Sequence, residues 1–105
     1  MIIHINSVEQ FNEEIKQGKV LVDFFATWCG PCKMLSPVLE EVDKEGSVPG
    51  LKILKVDVDE NGDIAASFGI QAVPTLFLFK DGQKVDVKMG YLNKNTLLSF
   101  VKIAF

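Results

Sequence analysis

The only two cysteines of this 105-residue chain lie three positions apart. Cys29 and Cys32 are separated by Gly30, which permits the close approach of another backbone, and by Pro31, which fixes one backbone angle. Two thiols at this spacing can ligate a metal, form a structural disulfide or cycle between dithiol and disulfide. The neighbouring residues distinguish between these three kinds of chemistry.

A metal site and a structural disulfide are both poorly supported by the sequence. A structural zinc ion needs four ligands, whereas the chain offers two cysteines and one histidine, His4, which is remote in sequence. A permanent disulfide would close a loop of only two residues, so it would remove little entropy from the unfolded chain. We therefore favour reversible dithiol chemistry.

Reversible exchange requires a thiolate, because the thiol is a poor nucleophile. Apolar residues recur at helical spacing from Pro31 up to Gly46, which predicts a helix that begins beside the cysteines. Cys29 should lie at its N-terminal end, where unpaired N–H groups and the helix dipole stabilise an anion. Cys32 should be less exposed. We predict that Cys29 attacks a partner's disulfide and that Cys32 resolves the mixed disulfide.

Asp23 is a candidate proton acceptor. It lies in the middle of an apolar run at 19–26, which predicts a central strand covered on both faces. A carboxyl group buried there would have a raised pKa and could take the proton that Cys32 must lose. Lys55, on a predicted strand at 51–58, could be its charge partner. Partial exposure of Asp23 at a strand end is an equally good interpretation of the residues alone.

The remaining elements are predicted from apolar periodicity, capping residues and turn residues. The predicted order is a helix at 7–18 capped by Ser7, a strand at 19–26, a helix at 31–45, a strand at 51–58, a helix capped by Asp59 that runs to Phe68, a hairpin at 75–90 that turns at Asp81 and Gly82, and a helix from Asn93. Two strands joined by a helix should be parallel, whereas a hairpin is antiparallel. We therefore predict a single α/β domain of residues 1–105, with a central mixed sheet flanked by helices on both faces.

The composition argues against several classes of partner. The 11 basic residues are all lysines and are outnumbered by 14 acidic residues, so we expect no nucleic-acid partner. No apolar run approaches the ~20 residues that span a bilayer, and the first residues lack the pattern of a signal peptide. From these two absences we expect a cytosolic protein. No glycine-rich phosphate loop is present, so we expect no nucleotide cofactor, and the shortage of zinc ligands leads us to expect no metal.

The chain resembles the thioredoxin family from near its first residue to its last. A W-C-G-P-C motif followed by V-P-T at this distance is far more specific than the two cysteines alone. The resemblance rests on "VDFFATWCGPCK" at 22–33, Pro37, "KVDVDEN" at 55–61, "FGIQAVPTLFLFKDG" at 68–82 and Gly90 in "MGYLNK". It implies the thioredoxin fold and the activity of a protein-disulfide reductase that needs no cofactor of its own.

The resemblance also implies a role for individual residues. Cys29 would be the nucleophile, Cys32 the resolving thiol, Asp23 the buried proton-transfer group and Lys55 its charge partner. A flat apolar rim would receive the partner protein, and its members are Trp28, Gly30, Pro31, Val73, Pro74 and Gly90. A Gly-Pro pair between the cysteines is similar to that of the reducing members of the superfamily.

The bond between Val73 and Pro74 is interpreted differently with and without the resemblance. The residues alone predict a turn or strand-edge position and favour a trans bond, which is the more frequent isomer. The resemblance implies a cis bond that faces the sulfurs, with the backbone of Val73 free to pair with an extended substrate segment. Phe25 stands where many family members have tryptophan, and we expect this change to affect packing more than catalysis.

The implied partners are proteins that carry disulfide bonds and a thioredoxin reductase, in this family typically an NADPH-dependent flavoprotein. The chain itself is expected to be a monomer that binds neither nucleic acid nor membrane. A second hypothesis belongs to a different class of function: a binding or scaffold module that uses the same apolar surface without turnover.

Overall fold

A computed structural model describes all of residues 1–105 and contains one five-stranded sheet and four helices. In chain order the elements are β1 (Ile2–His4), α1 (Val8–Ile15), β2 (Lys19–Phe25), α2 (Gly30–Glu45), β3 (Lys52–Asp57), α3 (Gly62–Ser67), β4 (Thr75–Lys80), β5 (Gln83–Met89) and α4 (Lys94–Ala104). The strands lie in the order β1-β3-β2-β4-β5. β3 pairs in parallel with β1 and β2, whereas β4 is antiparallel to β2 and β5. The predicted α/β class and mixed sheet are therefore confirmed.

Helices cover both faces of the sheet because its central strands are apolar on both sides. Side chains alternate along β2, so Leu21 packs under α2 and α4, whereas Val22 packs under α1 and α3. Burial of one such aliphatic side chain stabilises the fold by roughly 1.5–3 kcal/mol. Asp23 shares the face of Leu21 and is therefore covered by α2. No helix is both long enough and apolar enough to cross a membrane.

Side-chain caps fix the starts of two helices where the sequence predicts them. Ser7 Oγ accepts a hydrogen bond from Gln10 N at 3.1 Å, and Asn93 Oδ1 accepts one from Thr96 N at 2.9 Å. Each such cap stabilises a helix by ~1 kcal/mol. The predicted hairpin turn is also confirmed, since Asp81 and Gly82 both have positive φ, as a tight two-residue turn requires.

Three boundaries differ from the prediction. β1 is a strand of three residues at the edge of the sheet, too short to produce a periodic signal. α1 ends at Ile15 rather than at Gly18. The predicted cap by Asp59 is wrong, because α3 begins only at Gly62. The carboxylate of Asp57 instead accepts the N–H groups of the next turn.

β5 forms the second edge of the sheet and is exposed along its whole length. Its pairing with β4 shifts register between Leu78 and Phe79, as happens at a β-bulge. Lys84 and Lys88 both lie on this strand, and the Lys84 ammonium lies 5.3 Å from the centre of the Phe77 ring. Asp86 lies between the two lysines, so this edge is irregular and carries charges of both signs.

Candidate active site

The two cysteines lie where β2 gives way to α2 and form a disulfide in this structure. Cys29 is the N-cap residue of α2, and its Sγ accepts a hydrogen bond from the backbone N–H of Cys32 at 3.2 Å. Pro31 occupies the first turn, where no N–H partner is needed. The chain direction thus places the sulfur of Cys29 at the positive end of a 16-residue helix.

The expected difference in exposure between the two cysteines is not found. Cys29 is 4% exposed and Cys32 is 3% exposed, because both pack with Ala26 in one small apolar cluster. The sulfurs differ in their contacts instead. Cys29 Sγ receives the N–H of Cys32 and lies 3.6 Å from the carbonyl oxygen of Val73. In this disulfide form the polar contacts, rather than the exposure, distinguish the two sulfurs.

Asp23 is fully buried, so the alternative of partial exposure at a strand end is wrong. It lies beside Lys55 in the parallel register of β2 and β3, and its Oδ2 accepts a hydrogen bond from Lys55 Nζ at 2.8 Å. Its Oδ1 has no hydrogen-bond partner. Burial raises the pKa of Asp23, and this effect outweighs the charge and hydrogen bond of Lys55, which lower it. The carboxyl group is thus able to hold a proton at a higher pH than an exposed aspartate.

The pair of Asp23 and Lys55 lies beneath α2, close to the cysteines along the helix. Lys55 Nζ donates a hydrogen bond to Ser36 Oγ at 3.1 Å. Ser36 is one helical turn beyond Cys32 and therefore lies on the same side of α2. The Lys55 ammonium also lies 4.6 Å from the ring centre of Phe25, and that ring packs against the cysteine cluster. Phe25 thus contacts both the ammonium and the cysteine cluster, and Ser36 contacts the ammonium from the helix that carries Cys32.

An apolar surface adjoins the disulfide. Trp28 is 70% exposed, and its Nε1 donates a hydrogen bond to Asp59 Oδ2 at 3.0 Å. A hollow of about 150 Å³ lies beside this ring. It is lined by Trp28, Val58, Ile70, Gln71, Ala72 and Val73. An indole ring held over such a hollow gives a partner chain a place to bury apolar atoms.

The loop opposite the cysteines is fixed by its own hydrogen bonds. The bond between Val73 and Pro74 is cis, as the family resemblance implied. Gly90 N donates to the carbonyl oxygen of Pro74 at 2.9 Å, and Thr75 Oγ1 donates to that of Ala72 at 2.6 Å. Gly90 has a φ of 94°, which strains any residue with a side chain. These bonds hold Val73 against Cys29.

Two residues of the site were missed by the sequence reasoning. Asp59 was given a helix-capping role, although it follows β3 as Trp28 follows β2. Parallel strands end at the same edge of a sheet, so this position could have been predicted. Ser36 could have been found from its spacing of one helical turn from Cys32. No group of three or more His, Cys, Asp or Glu side chains is arranged to hold a metal ion.

Comparisons with known proteins agree with this geometry. Residues 2–103 match the family model described as Thioredoxin. The thioredoxin of Bacillus subtilis (strain 168) is 47% identical over 93 residues, which cover 89% of this chain and 88% of that protein. The thioredoxin of Chlamydia muridarum (strain MoPn / Nigg) is 46% identical over 100 residues, with coverage of 95% and 96%. The solved structure of oxidised mitochondrial thioredoxin 3 from Saccharomyces cerevisiae superposes with a TM-score of 0.86 at 39% identity, over 97% of this chain and 94% of that chain.

Proposed function

This chain belongs to the thioredoxin family, and from the geometry of its site we propose how its residues divide the work of dithiol–disulfide exchange. It is a protein-disulfide oxidoreductase whose redox-active pair is Cys29 and Cys32. Family membership implies substrate proteins that carry disulfides and recycling by a reductase. The alternative of a binding module without turnover is not favoured, because the two sulfurs are already within bonding reach.

Cys29 is the nucleophile of the proposed mechanism. The observation that carries this assignment is the N–H of Cys32, which donates to Cys29 Sγ at the N-terminus of α2. In the dithiol form the same N–H and the helix dipole would stabilise a thiolate on that sulfur. The thiolate attacks a sulfur of the substrate disulfide, a mixed disulfide forms, and the first substrate sulfur leaves as a thiolate that takes a proton from solvent.

Cys32 completes the exchange as the resolving thiol. It gives its proton to the Asp23 carboxylate, its sulfur attacks that of Cys29, and the bond from Cys29 to the substrate breaks. The second substrate thiolate leaves, and the bond between Cys29 and Cys32 remains. Two electrons have then passed to the substrate. The positive charge of Lys55 offsets part of the cost of burying the Asp23 carboxylate. The distance of 2.8 Å between the two groups supports this role.

The substrate surface is proposed to consist of Trp28, Val73, Pro74 and Gly90. An extended substrate segment would pair with the backbone of Val73 and bury apolar side chains in the hollow beside Trp28. Gly30 and Pro31 tune the redox pair, because they add no charge beside the Cys29 thiolate. A histidine at either position would favour the thiolate and make the disulfide more oxidising.

The electron donor is proposed to be a thioredoxin reductase, an NADPH-dependent flavoprotein, and the chain is proposed to act as a cytosolic monomer. The experiment that tests the function is the reduction of insulin by dithiothreitol with and without the protein. The wild type should accelerate it, and Cys29→Ser should not. Equal acceleration by both proteins would contradict a role for this site.

A trapping experiment tests the division of roles between the cysteines. Cys32→Ser keeps the nucleophile but cannot resolve, so it should accumulate mixed disulfides with an oxidised protein substrate such as insulin. Cys29→Ser is the matched control and should trap none. Trapping by Cys29→Ser instead would reverse the assignment.

A further inference from the structure

A small crevice with both polar and apolar lining residues opens beside the buried charged pair, between β1, β3 and α2. Its volume is about 50 Å³, enough for water. It is lined by Ile2, His4, Ser36, Leu39, Glu40 and Lys55. Asp23 does not line it and is shielded from solvent. Lys55 and Ser36 thus stand between the buried carboxyl group and the crevice.

We infer that Ser36 is a positioning residue of the exchange reaction: its hydroxyl holds the Lys55 ammonium against Asp23 and links the pair to the crevice. This inference rests on the proposed function, in which Asp23 accepts the proton of Cys32. It adds a residue to that mechanism and a route by which the proton leaves.

The contacts of Lys55 support the positioning role. Its ammonium donates to Asp23 Oδ2 at 2.8 Å and to Ser36 Oγ at 3.1 Å, while the Phe25 ring lies against it at 4.6 Å. An ammonium group has three N–H donors, and burying any of them without an acceptor costs free energy. Without the hydroxyl of Ser36, the ammonium would turn toward water in the crevice and away from Asp23. The hydroxyl of Ser36 therefore keeps the distance between Lys55 Nζ and Asp23 Oδ2 short.

The proton has a balanced path through these groups. After Cys32 has protonated Asp23, the ammonium of Lys55 releases one proton through the hydroxyl of Ser36 to water in the crevice. The proton of the Asp23 carboxyl group then replaces it on Lys55. Asp23 is a carboxylate again, Lys55 is again an ammonium, and one proton has reached solvent.

Several titratable groups face this path from the packed elements. β1 contributes His4, which is level with Lys55 in the sheet, α2 contributes Glu40, and β2 contributes Asp23. A change of Ser36 removes none of these groups. The substitution Ser36→Ala therefore tests the hydroxyl while every titrating side chain stays in place.

The test uses the reduced full chain and an aromatic disulfide that releases one coloured thiolate on attack and a second on resolution. In Ser36→Ala the pKa of Asp23 should rise, because the cation moves away from it. The second phase should be slower at neutral pH by a factor of about 3 to 10, and its pH profile should move to higher pH. The first phase should be unchanged. Ser36→Thr should restore the wild-type profile, and Ser99→Ala at an exposed position of α4 is the control.

Three outcomes decide between the hypotheses. A profile of Ser36→Ala that superposes on the wild type overturns the inference, as does a uniform loss at every pH that Ser36→Thr does not restore. If Asp23→Asn changes the profile but Ser36→Ala does not, only the role of Ser36 fails. If Asp23→Asn also keeps the wild-type profile, the proposed proton transfer itself fails.

Discussion

Two lysine–carboxylate sites in this molecule have similar geometry and opposite electrostatics. Lys55 lies 2.8 Å from Asp23, and their side chains are 7% and 0% exposed. Lys94 lies 3.1 Å from Glu41 and 2.6 Å from Glu45 and joins α4 to α2 on the surface. Lysine–carboxylate pairs at similar distances are thus present in the protein interior and on the solvent-exposed surface.

The pKa values move in opposite directions at the two sites. The hydrogen bond from Lys94 lowers the pKa of Glu45, whereas burial raises the pKa of Asp23 in spite of Lys55. Solvent at the surface already stabilises the carboxylate, so the cation only adds to that effect. In the interior the lost solvation exceeds what one cation returns. A nearby lysine therefore does not by itself decide whether a carboxyl group can act as a proton acceptor.

The largest effect is expected from Lys55→Met, which removes the cation and leaves the buried carboxyl group alone. Breaking a buried ion pair from one side should cost roughly 3 kcal/mol of unfolding free energy at neutral pH. Urea unfolding measures this loss, which should shrink in acid as Asp23 becomes neutral. The double variant with Asp23→Asn is the control and should regain part of the stability. A single variant as stable as the wild type at neutral pH would remove the contrast between the two sites.

A gain of stability of about 1 kcal/mol at neutral pH is expected from Asp23→Asn, because the charge that burial disfavours is removed while Lys55 keeps its hydrogen bond to Ser36. The pKa of Asp23 is raised in the folded state above its ordinary value of 3.8, so the folded chain binds more protons than the unfolded chain. The contribution of Asp23 to the unfolding free energy is therefore complete below the ordinary pKa of 3.8. It is lost as the pH rises through the raised pKa of the folded state. Urea unfolding between acid and neutral pH should show this decline in the wild type but not in the variant. A parallel decline in both proteins would assign it to other groups.

The smallest effect is expected from Lys94→Gln on the surface. Exposed ion pairs contribute little because water and salt screen them and because long side chains must be ordered. The midpoint of urea unfolding should change far less than in Lys55→Met, and added salt should reduce the difference further. Lys102→Gln, at the end of α4, is a matched control without an ion pair. A salt-independent loss as large as that of Lys55→Met would show that burial is not the deciding variable.

The sequence is informative where a local rule and the tertiary fold agree. Cys29 is predictable at a helix start because Pro31 and the apolar spacing that follows both favour a helix there. The strand that carries Asp23 is predictable because it is apolar on both faces. The hairpin is predictable because Asp81 and Gly82 tolerate positive φ. In each case neighbours in sequence already determine the structure.

The rest depends on residues that meet only after folding. Asp23 is buried because α2 packs over it, and the local pattern of a strand does not predict which helix covers a given residue. Asp59 has the residue type of a helix cap, but its carboxylate accepts a hydrogen bond from the Trp28 indole, which follows another strand. The hydrogen bond of Ser36 joins a helix to Lys55, a residue that is 19 positions away in sequence. Local patterns favour one partner for such side chains, and the fold supplies another.

The exposed edge strand β5 affects how this enzyme can associate with other polypeptides. A regular exposed edge would let a free strand of another polypeptide add to the sheet and start a polymer. The register shift between Leu78 and Phe79 and the charged side chains of Lys84, Asp86 and Lys88 work against such growth, even though Val85, Val87 and Met89 are exposed on the same strand. An interrupted and charged edge thus lowers the tendency of this sheet to pair with strands of other polypeptides.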